Sequence, residues 1–351
     1  MTASALSSVP VAVLGAGSWG TALAALACQR ASTMIWARNL SSVAQINQDH
    51  QLPHYLPGIQ LPTALQATSD FEHAVAHALN NDQTPGLIIL GVPLAGLAEM
   101  CQRLNHVLPT QRKHPLYILR TSKGFDPQTG QLPHQITHHS LRTQPWLHTG
   151  TLSGPSFALE VAQGLPVALT VASPSEALCH TVVQVLHGQS ARIYSSNDLV
   201  GVEIGGALKN IVAIACGIAD GLQLGTNARA ALITRGLAEI QRLGVALGGD
   251  AATFSGLTGL GDLVLTTTGD LSRNRQVGLA LAQGKSIEDI LASGLTAEGV
   301  RCAQAALGLA QQHQVRAPIT AAVCDVLFNH LNPRDAVQQL LARDPRLETS
   351  F

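Results

Sequence analysis

The amino-acid sequence predicts an α/β domain over residues 1–195 and an all-α domain over residues 196–351. Short apolar segments typical of β-strands recur up to Ser196, with helical patterns between several of them. After about Asn197 the strand signals stop, and long segments rich in Ala and Leu continue toward the C-terminus. A chain of 351 residues is also long for one hydrophobic core, so two domains are expected.

Seven segments of the first domain are predicted to be strands, because each is short, apolar and bounded by turn residues. They are VAVL (11–14), STMIWA (32–37), LIILGV (87–92), LYILR (116–120), HTGTLSG (148–154), VALTVAS (167–173) and ARIYSS (191–196). The helix TALAALACQR (21–30) joins the first two strands into a βαβ unit. The segment 126–144, rich in His, Pro and Gln, is expected to be a surface excursion.

Composition restricts the partners of the chain. The net charge is −1, which provides no general attraction for nucleic acid or an anionic membrane, so a small-molecule substrate is expected. The six cysteines are scattered without a CxxC pair, which argues against a zinc site or a disulfide framework and favours the cytoplasm. No export signal or membrane span is predicted. The histidine pairs at i, i+4 spacing lack further ligands, so no metal is expected.

The segment GAGSWG contains Gly15, Gly17 and Gly20 in the spacing GxGxxG. Glycine-rich turns are common, but here a strand precedes the turn, a helix follows it, and a second strand closes the unit. Such glycines let the backbone approach a pyrophosphate, which binds at the N-terminus of the helix. The sequence therefore predicts a Rossmann-type dinucleotide site.

The end of the second strand, WARN, is the position that distinguishes the two nicotinamide cofactors. An NAD site usually has Asp or Glu there, whereas this chain has Arg38 and no carboxylate before Asp49. A guanidinium can pair with a 2′-phosphate, so NADP(H) is predicted as the preferred cofactor, with NAD(H) as the alternative.

Three further segments offer groups for an anionic substrate. Lys123 in TSKG follows a strand, and ligands of parallel sheets bind at the carboxyl ends of strands. Ser156 in SGPSFALE is expected to cap a helix beside Gly154. The segment GLGDLVLTTTGDLSRNRQ (259–276) includes Asp262 and a predicted helix start at Ser272, where hydroxyl, guanidinium and free N–H groups would form an anion site.

Lys209 lies in the long apolar segment GVEIGGALKNIVAIACGIADG (201–221). Burial of an ammonium without a partner costs several kcal/mol, so the chain must either compensate this charge or use it. A desolvated lysine has a lowered pKa, which suits a role in proton transfer.

The chain resembles the NAD(P)-dependent glycerol-3-phosphate dehydrogenases over nearly its whole length, most closely the bacterial enzymes of phospholipid synthesis. The segments that carry the resemblance are, in order, GAGSWGTALA, LIILGVP, TSKG, SGPSFALE, GGALKNIVAIACGIADGLQLGTNARAALITRGLAE, GLGDLVLT and SRNRQ. The resemblance implies a Rossmann domain followed by a helical domain, and a reversible reduction of dihydroxyacetone phosphate to sn-glycerol 3-phosphate.

The resemblance also implies roles for individual residues, with Lys209 as the acid/base. The residues implied to bind substrate are Lys123, Gly154, Ser156, Lys209, Asp262, Ser272, Arg273 and Asn274. Asn210, next to Lys209, is added because its amide could bind a substrate hydroxyl. The residues implied to bind the cofactor are Gly15, Gly17, Ser18, Trp19, Gly20, Arg38, Lys123, Ala158, Arg273 and Glu298. Two positions depart from the family pattern, since Ser156 stands where threonine is frequent and Ala321 where an acidic residue often occurs.

The residues by themselves leave two other functions possible. One is a related two-domain dehydrogenase of a β-hydroxy acid or sugar acid, which would need carboxylate rather than phosphate recognition. The other is a redox-sensing dinucleotide binder, which would need the glycine turn but no acid/base. The sequence also leaves the oligomeric state open, and a homodimer is one alternative.

Overall fold

The computed structural model describes residues 7–295, 297–344 and 347. The chain forms two compact units, Met1–Ser122 with Pro133–Leu199, and Lys123–Leu132 with Val200–Phe351. The segment Lys123–Leu132 therefore belongs to the second unit, whereas the sequence analysis placed it in the first. The reason is apolar packing, because Phe125 and Leu132 are buried in the core of the second unit.

An eight-stranded sheet forms the centre of the first unit, in the order β3-β2-β1-β4-β5-β6-β7-β8. Neighbouring strands are parallel except β6 and β7, which are antiparallel. The strands are β1 Ser7–Leu14, β2 Ala31–Trp36, β3 Gln66–Thr68, β4 Gly86–Leu90, β5 Leu116–Arg120, β6 Leu147–Ser153, β7 Val167–Ala172 and β8 Ala191–Ser196. The first six strands have the order of a Rossmann fold. The predicted fold class is confirmed for this unit.

Helices pack on both faces of the sheet, which is why β4 and β5 are fully buried and almost purely apolar. Separate apolar clusters form on the two faces, one including Val11 and Val13 and the other Ala12 and Leu14. The α-helices of this unit are α1 Ser18–Ala27, α2 Leu40–Ala44, α3 Phe71–Leu79, α4 Leu97–Val107, α5 Pro133–Ser140, α6 Ala158–Ala162 and α7 Glu176–Leu186.

Two elements of the first unit differ from the sequence prediction. Strand β3 was not predicted, because its three residues are too few to show alternation. The segment 126–144 is not only a surface excursion, since it contains helix α5 with Pro133, Ile136 and Thr137 buried. Ile136 packs into the second apolar cluster of the sheet, and this contact outweighs the polar composition of the segment.

The described residues of the second unit form helices and no strand, as predicted. The helices are α8 Leu199–Gly221, α9 Gly225–Ala246, α10 Ala251–Phe254, α11 Asp262–Thr268, α12 Arg273–Ala282, α13 Ile287–Ala292, α14 Glu298–Gln312, α15 Pro318–Phe328 and α16 Pro333–Leu341. Helix α8 is long and apolar enough to cross a membrane, but 89% of its apolar window is buried inside the protein. It is the central helix of this core.

A buried carboxylate of α9 caps the N-terminus of α15. Glu239 accepts hydrogen bonds from the backbone N–H groups of Ile319 (2.6 Å) and Thr320 (3.2 Å) and from the Thr320 hydroxyl. Helix α15 has no side-chain cap of its own at Ala317. Burial raises the pKa of Glu239 to about 7, against the lowering effect of these hydrogen bonds and of Arg242.

Glu239→Gln is expected to flatten the dependence of stability on pH. Since the folded state raises this pKa above its ordinary value of 4.5, Glu239 stabilises the fold at low pH and loses that contribution as the pH rises through about 7. The loss is about 3 kcal/mol for a shift of this size. The melting temperature of the variant, relative to wild type, should therefore rise between pH 5 and pH 8. The matched control is Glu288→Gln at an exposed position of α13, and parallel curves for Glu239→Gln and wild type would contradict the expectation.

Candidate active site

The glycine turn lies between β1 and α1, at the point where the strand order reverses between β1 and β4. Gly15 has φ +119°, and a Cβ on it would lie 2.6 Å from the carbonyl oxygen of Gly91. A Cβ on Gly20 would lie 2.0 Å from the carbonyl oxygen of Gly15. The tight packing of strand ends and helix therefore explains these two glycines without any ligand.

Packing does not explain the glycine at position 17. A Cβ on Gly17 would meet no protein atom within 4 Å, so packing does not require a glycine there. Gly17 is the N-cap of α1, and neither a side-chain cap nor an acidic residue serves the first turn of this helix. Free N–H groups beside an open glycine form the cradle that a pyrophosphate needs. The residues present thus fit a dinucleotide.

The remaining predicted cofactor residues of the first unit lie around this turn and after β2. The Ser18 hydroxyl donates to the carbonyl oxygen of Tyr55 at 2.9 Å. Trp19 and Ala158 are partly buried against the apolar core that also contains α1. Arg38 is exposed after β2 and forms no hydrogen bond or ion pair with any residue that the structure describes.

Gly154 follows β6 with φ +135°, and a Cβ there would lie 3.1 Å from the carbonyl oxygen of Ala168. The prediction that Ser156 caps a helix is wrong. Helix α6 begins at Ala158 with Phe157 as N-cap and has no side-chain cap, and the Ser156 hydroxyl instead donates to the Gly154 carbonyl at 3.1 Å. Because the Ser156 hydroxyl is engaged in this turn, it does not cap the N-terminus of α6.

Lys209 is buried on α8, with 7% of its surface exposed, and its ammonium meets two partners on α11. Its Nζ donates to Asp262 Oδ1 and, at 2.8 Å, to Thr266 Oγ1. The other oxygen of Asp262 accepts from Lys123 Nζ at 2.7 Å. Asp262 is 1% exposed, so one buried carboxylate is shared by two ammonium groups.

Lys209 has a lowered pKa in this cluster with Lys123 and Asp262. Burial lowers the pKa of Lys209 to about 7, and Lys123 adds to the shift while Asp262 opposes it. Burial acts to raise the pKa of Asp262, but the two lysines outweigh it and hold this pKa below its usual range. Lys209 is thus an ammonium that can release its proton near neutral pH.

Thr266 was not identified from the sequence. Its hydroxyl donates to the Asp262 carbonyl at 2.7 Å, so its oxygen accepts from Lys209. Together Asp262 and Thr266 fix the position of Nζ from one face of α11. The i, i+4 spacing of these residues in DLVLT was the available signal, because helical residues four apart lie side by side.

The start of helix α12 is the position at which the sequence predicts an anion site. Ser272 is its N-cap, as predicted, and the hydroxyl accepts from the Arg275 N–H at 3.3 Å. Arg273 is exposed in the first turn. Asn274 is buried, and it donates to the Asn210 side-chain oxygen at 2.9 Å while its own oxygen accepts from the Gly299 N–H at 2.9 Å.

These two asparagines therefore link α8, α12 and α14 within the core of the second unit. Glu298 begins α14 next to Gly299, and burial raises its pKa against the lowering effect of Arg301 and Arg273.

No group of three His, Cys, Asp or Glu side chains within the described ranges could hold a metal ion. The cysteines are all buried and free.

Two family models match the chain. The N-terminal model of NAD-dependent glycerol-3-phosphate dehydrogenase matches residues 10–179, and the C-terminal model of the same family matches residues 198–338. Together they cover both units and all predicted site residues.

The chain is also similar to solved structures of glycerol-3-phosphate dehydrogenases. The glycerol-3-phosphate dehydrogenase of Coxiella burnetii is 37% identical with a TM-score of 0.85, over 95% of this chain and 99% of that one. The enzyme of Saccharomyces cerevisiae is 26% identical with a TM-score of 0.78, over 95% and 99%. The protein of Plasmodium falciparum is 20% identical with a TM-score of 0.83, over 97% of both, and supports the fold alone. The chain belongs to the NAD-dependent glycerol-3-phosphate dehydrogenase family and is an oxidoreductase that reduces dihydroxyacetone phosphate with NAD(P)H.

Proposed function

We propose that Lys209 is the acid/base of this reaction, and that the product, sn-glycerol 3-phosphate, supplies glycerophospholipid synthesis in the cytoplasm. The observation that carries the assignment of Lys209 is its position: a buried ammonium held by Asp262 and Thr266, with a pKa of about 7. Asp262 compensates the buried charge, and the pKa near neutrality suits this ammonium to proton transfer.

The chemistry follows from the contacts of Nζ. A bound nicotinamide dinucleotide supplies the hydride. Lys209 gives a proton to the ketone oxygen as it gains negative charge, and in the reverse direction the neutral amine takes the proton of the hydroxyl. Two of the three N–H bonds of the ammonium point to Asp262 and Thr266, which leaves the third for the substrate oxygen.

The substrate phosphate is assigned to the start of α12. Arg273 is exposed there, beside the capping Ser272 and the N–H groups of the first turn. A cation in the first turn is unfavourable for the helix dipole, and a bound dianion at this position would offset that cost. Lys123, Asn210, Asn274, Gly154 and Ser156 complete the proposed substrate set, and Glu298 the cofactor set.

The test of this function is a comparison of substrates on the purified protein. Oxidation of NADPH and NADH is followed with dihydroxyacetone phosphate and, separately, with the keto acids of related two-domain dehydrogenases. We expect turnover with the phosphate ester only. Turnover of a keto acid instead would support the alternative dehydrogenase, and tight dinucleotide binding without turnover would support a sensor. Expression of the chain should also restore growth to a bacterium that cannot make glycerol 3-phosphate.

Arg38→Asp is expected to weaken NADPH binding and to spare NADH. The exposed guanidinium of Arg38 has no partner in the described part of the chain, which leaves it available for a 2′-phosphate. Its loss should cost about 1–3 kcal/mol of NADPH affinity, the scale of a charge-assisted hydrogen bond. Dissociation constants of both cofactors are measured by fluorescence titration. Arg142→Asp, the same charge change at another exposed position of the first unit, is the control. Equal cofactor affinities in wild type, unchanged in the variant, would contradict the preference.

A further inference from the structure

We propose that Arg275 and Asp220 are positioning residues for the substrate phosphate: their ion pair holds α12 in register on α8 and thereby places Arg273 relative to Lys209. The inference rests on the proposed function, in which Arg273 binds the phosphate and Lys209 transfers the proton. It assigns separate tasks to the two arginines of the SRNR segment.

The ion pair has well-defined geometry. Arg275 donates to Asp220 Oδ2 through Nε at 2.9 Å and Nη2 at 2.8 Å, and through Nη1 to Asp270 Oδ1 at 2.9 Å. Arg229 on α9 also donates to Asp220 Oδ2, at 3.2 Å. The side chains of Arg275 and Asp220 are 12% and 14% exposed, whereas Asp270 is 96% exposed. The contact to Asp220 is thus the shielded one.

The helices themselves meet backbone to backbone. A Cβ on Gly217 of α8 would lie 2.1 Å from the carbonyl oxygen of Arg275, and a Cβ on Gly278 of α12 would lie 2.1 Å from the carbonyl oxygen of Ile214. Such a crossing has no interlocking side chains at its centre. The polar contacts beside it, Arg275 to Asp220 and Asn274 to Asn210, are directional and constrain the register and rotation of α12 together with the apolar packing of the two helices.

The spacing of the two arginines explains their different roles. Residues two apart on a helix point in directions that differ by about 200°, so Arg273 and Arg275 lie on opposite sides of α12. Arg275 faces Asp220, and Arg273 is exposed in the first turn. A small rotation of α12 would keep both helices folded but would move the guanidinium of Arg273.

Loss of Arg275 should therefore disturb geometry more than folding. Asp220 keeps Arg229 as a partner, so no buried carboxylate is left without a cation. The penalty that usually follows from breaking a buried pair is reduced. A displacement of about 1 Å in a binding group can still cost up to about 100-fold in activity.

The experiment compares Arg275→Ala and Asp220→Asn with Arg273→Ala and with the control Asp270→Asn. We expect Arg275→Ala and Asp220→Asn to raise KM for dihydroxyacetone phosphate by about 10- to 100-fold, with a much smaller change in kcat. Activity toward unphosphorylated dihydroxyacetone should stay at its low wild-type level. Arg275→Lys, or millimolar guanidinium added to Arg275→Ala, should restore KM in part, and Asp270→Asn should change little.

The outcomes separate three explanations. Equal losses of Arg275→Ala on both substrates, without rescue by guanidinium, would show a general structural role and overturn the positioning role. A wild-type KM in Arg275→Ala and Asp220→Asn, together with a raised KM in Arg273→Ala, would overturn only this inference. A wild-type KM in Arg273→Ala would overturn the phosphate assignment in the proposed function, and the positioning role with it.

Discussion

Lys209→Met is expected to lower kcat by about 10²–10⁴-fold, the usual contribution of a positioned acid/base, in a protein that stays folded. Methionine matches much of the lysine stem, so the packing of α8 is kept while a buried cation is removed. Asp262 still has Lys123 as its partner, so no unpaired charge remains. Since the glycine turn predicted to bind the dinucleotide is part of the first unit, we expect the affinity for the cofactor hardly to change.

The measurement combines kcat, NADPH affinity and melting temperature on one preparation. Lys285→Met, at an exposed position of the same unit, is the matched control and should behave like wild type. A folded Lys209→Met protein with near-wild-type kcat would exclude Lys209 as proton donor.

If Lys209 transfers the proton, the rates of reduction and oxidation should depend on pH in opposite directions. Reduction needs the ammonium, so its kcat/KM should fall as the pH rises through about 7, the value to which burial lowers this pKa. Oxidation of glycerol 3-phosphate needs the neutral amine and should rise over the same interval. The residual activity of Lys209→Met should lack both limbs.

Asp262→Asn is expected to have the second-largest effect, and it should act through Lys209. The buried carboxylate accepts from both lysines and opposes the lowering of the Lys209 pKa, so the neutral amide should let that pKa fall further. At pH 7 the lysine would be mostly neutral. Reduction should then drop by about 10²-fold at this pH, and oxidation should suffer less.

Stability and pH profile together test this expectation. Removal of one partner of a buried ionic cluster costs about 3–5 kcal/mol, so the melting temperature should fall as well. Asp270→Asn, on an exposed carboxylate, is the control. If the fall of reduction with rising pH occurs at the same pH in Asp262→Asn as in wild type, Asp262 does not tune the pKa of Lys209.

Much of the first unit follows from local pattern. Apolar strands, the GxGxxG turn and the helix that follows it each require only neighbouring residues, and the structure has them at or within a few residues of the predicted positions. Strand β3 and helix α5 were not predicted, because β3 has three residues and α5 is held by the packing of Ile136 rather than by its own composition. Where a local signal is weak, distant contacts decide.

At the candidate active site, too, some features follow from the sequence and others only from the tertiary structure. The sequence by itself determined that a lysine lies in an apolar helix and must be compensated or used, and that an aspartate and an SRNR segment follow, the latter at a predicted helix start. Only the tertiary structure decided which groups compensate it, since Asp262 and Thr266 lie on another helix. It also brought the second ammonium, that of Lys123, to the other oxygen of the same carboxylate. The tertiary structure likewise decided that Arg275 pairs with Asp220 and that Arg273 is exposed. The physical reason is that pairing of buried charges depends on distances between helices, and those distances are set by packing rather than by sequence spacing.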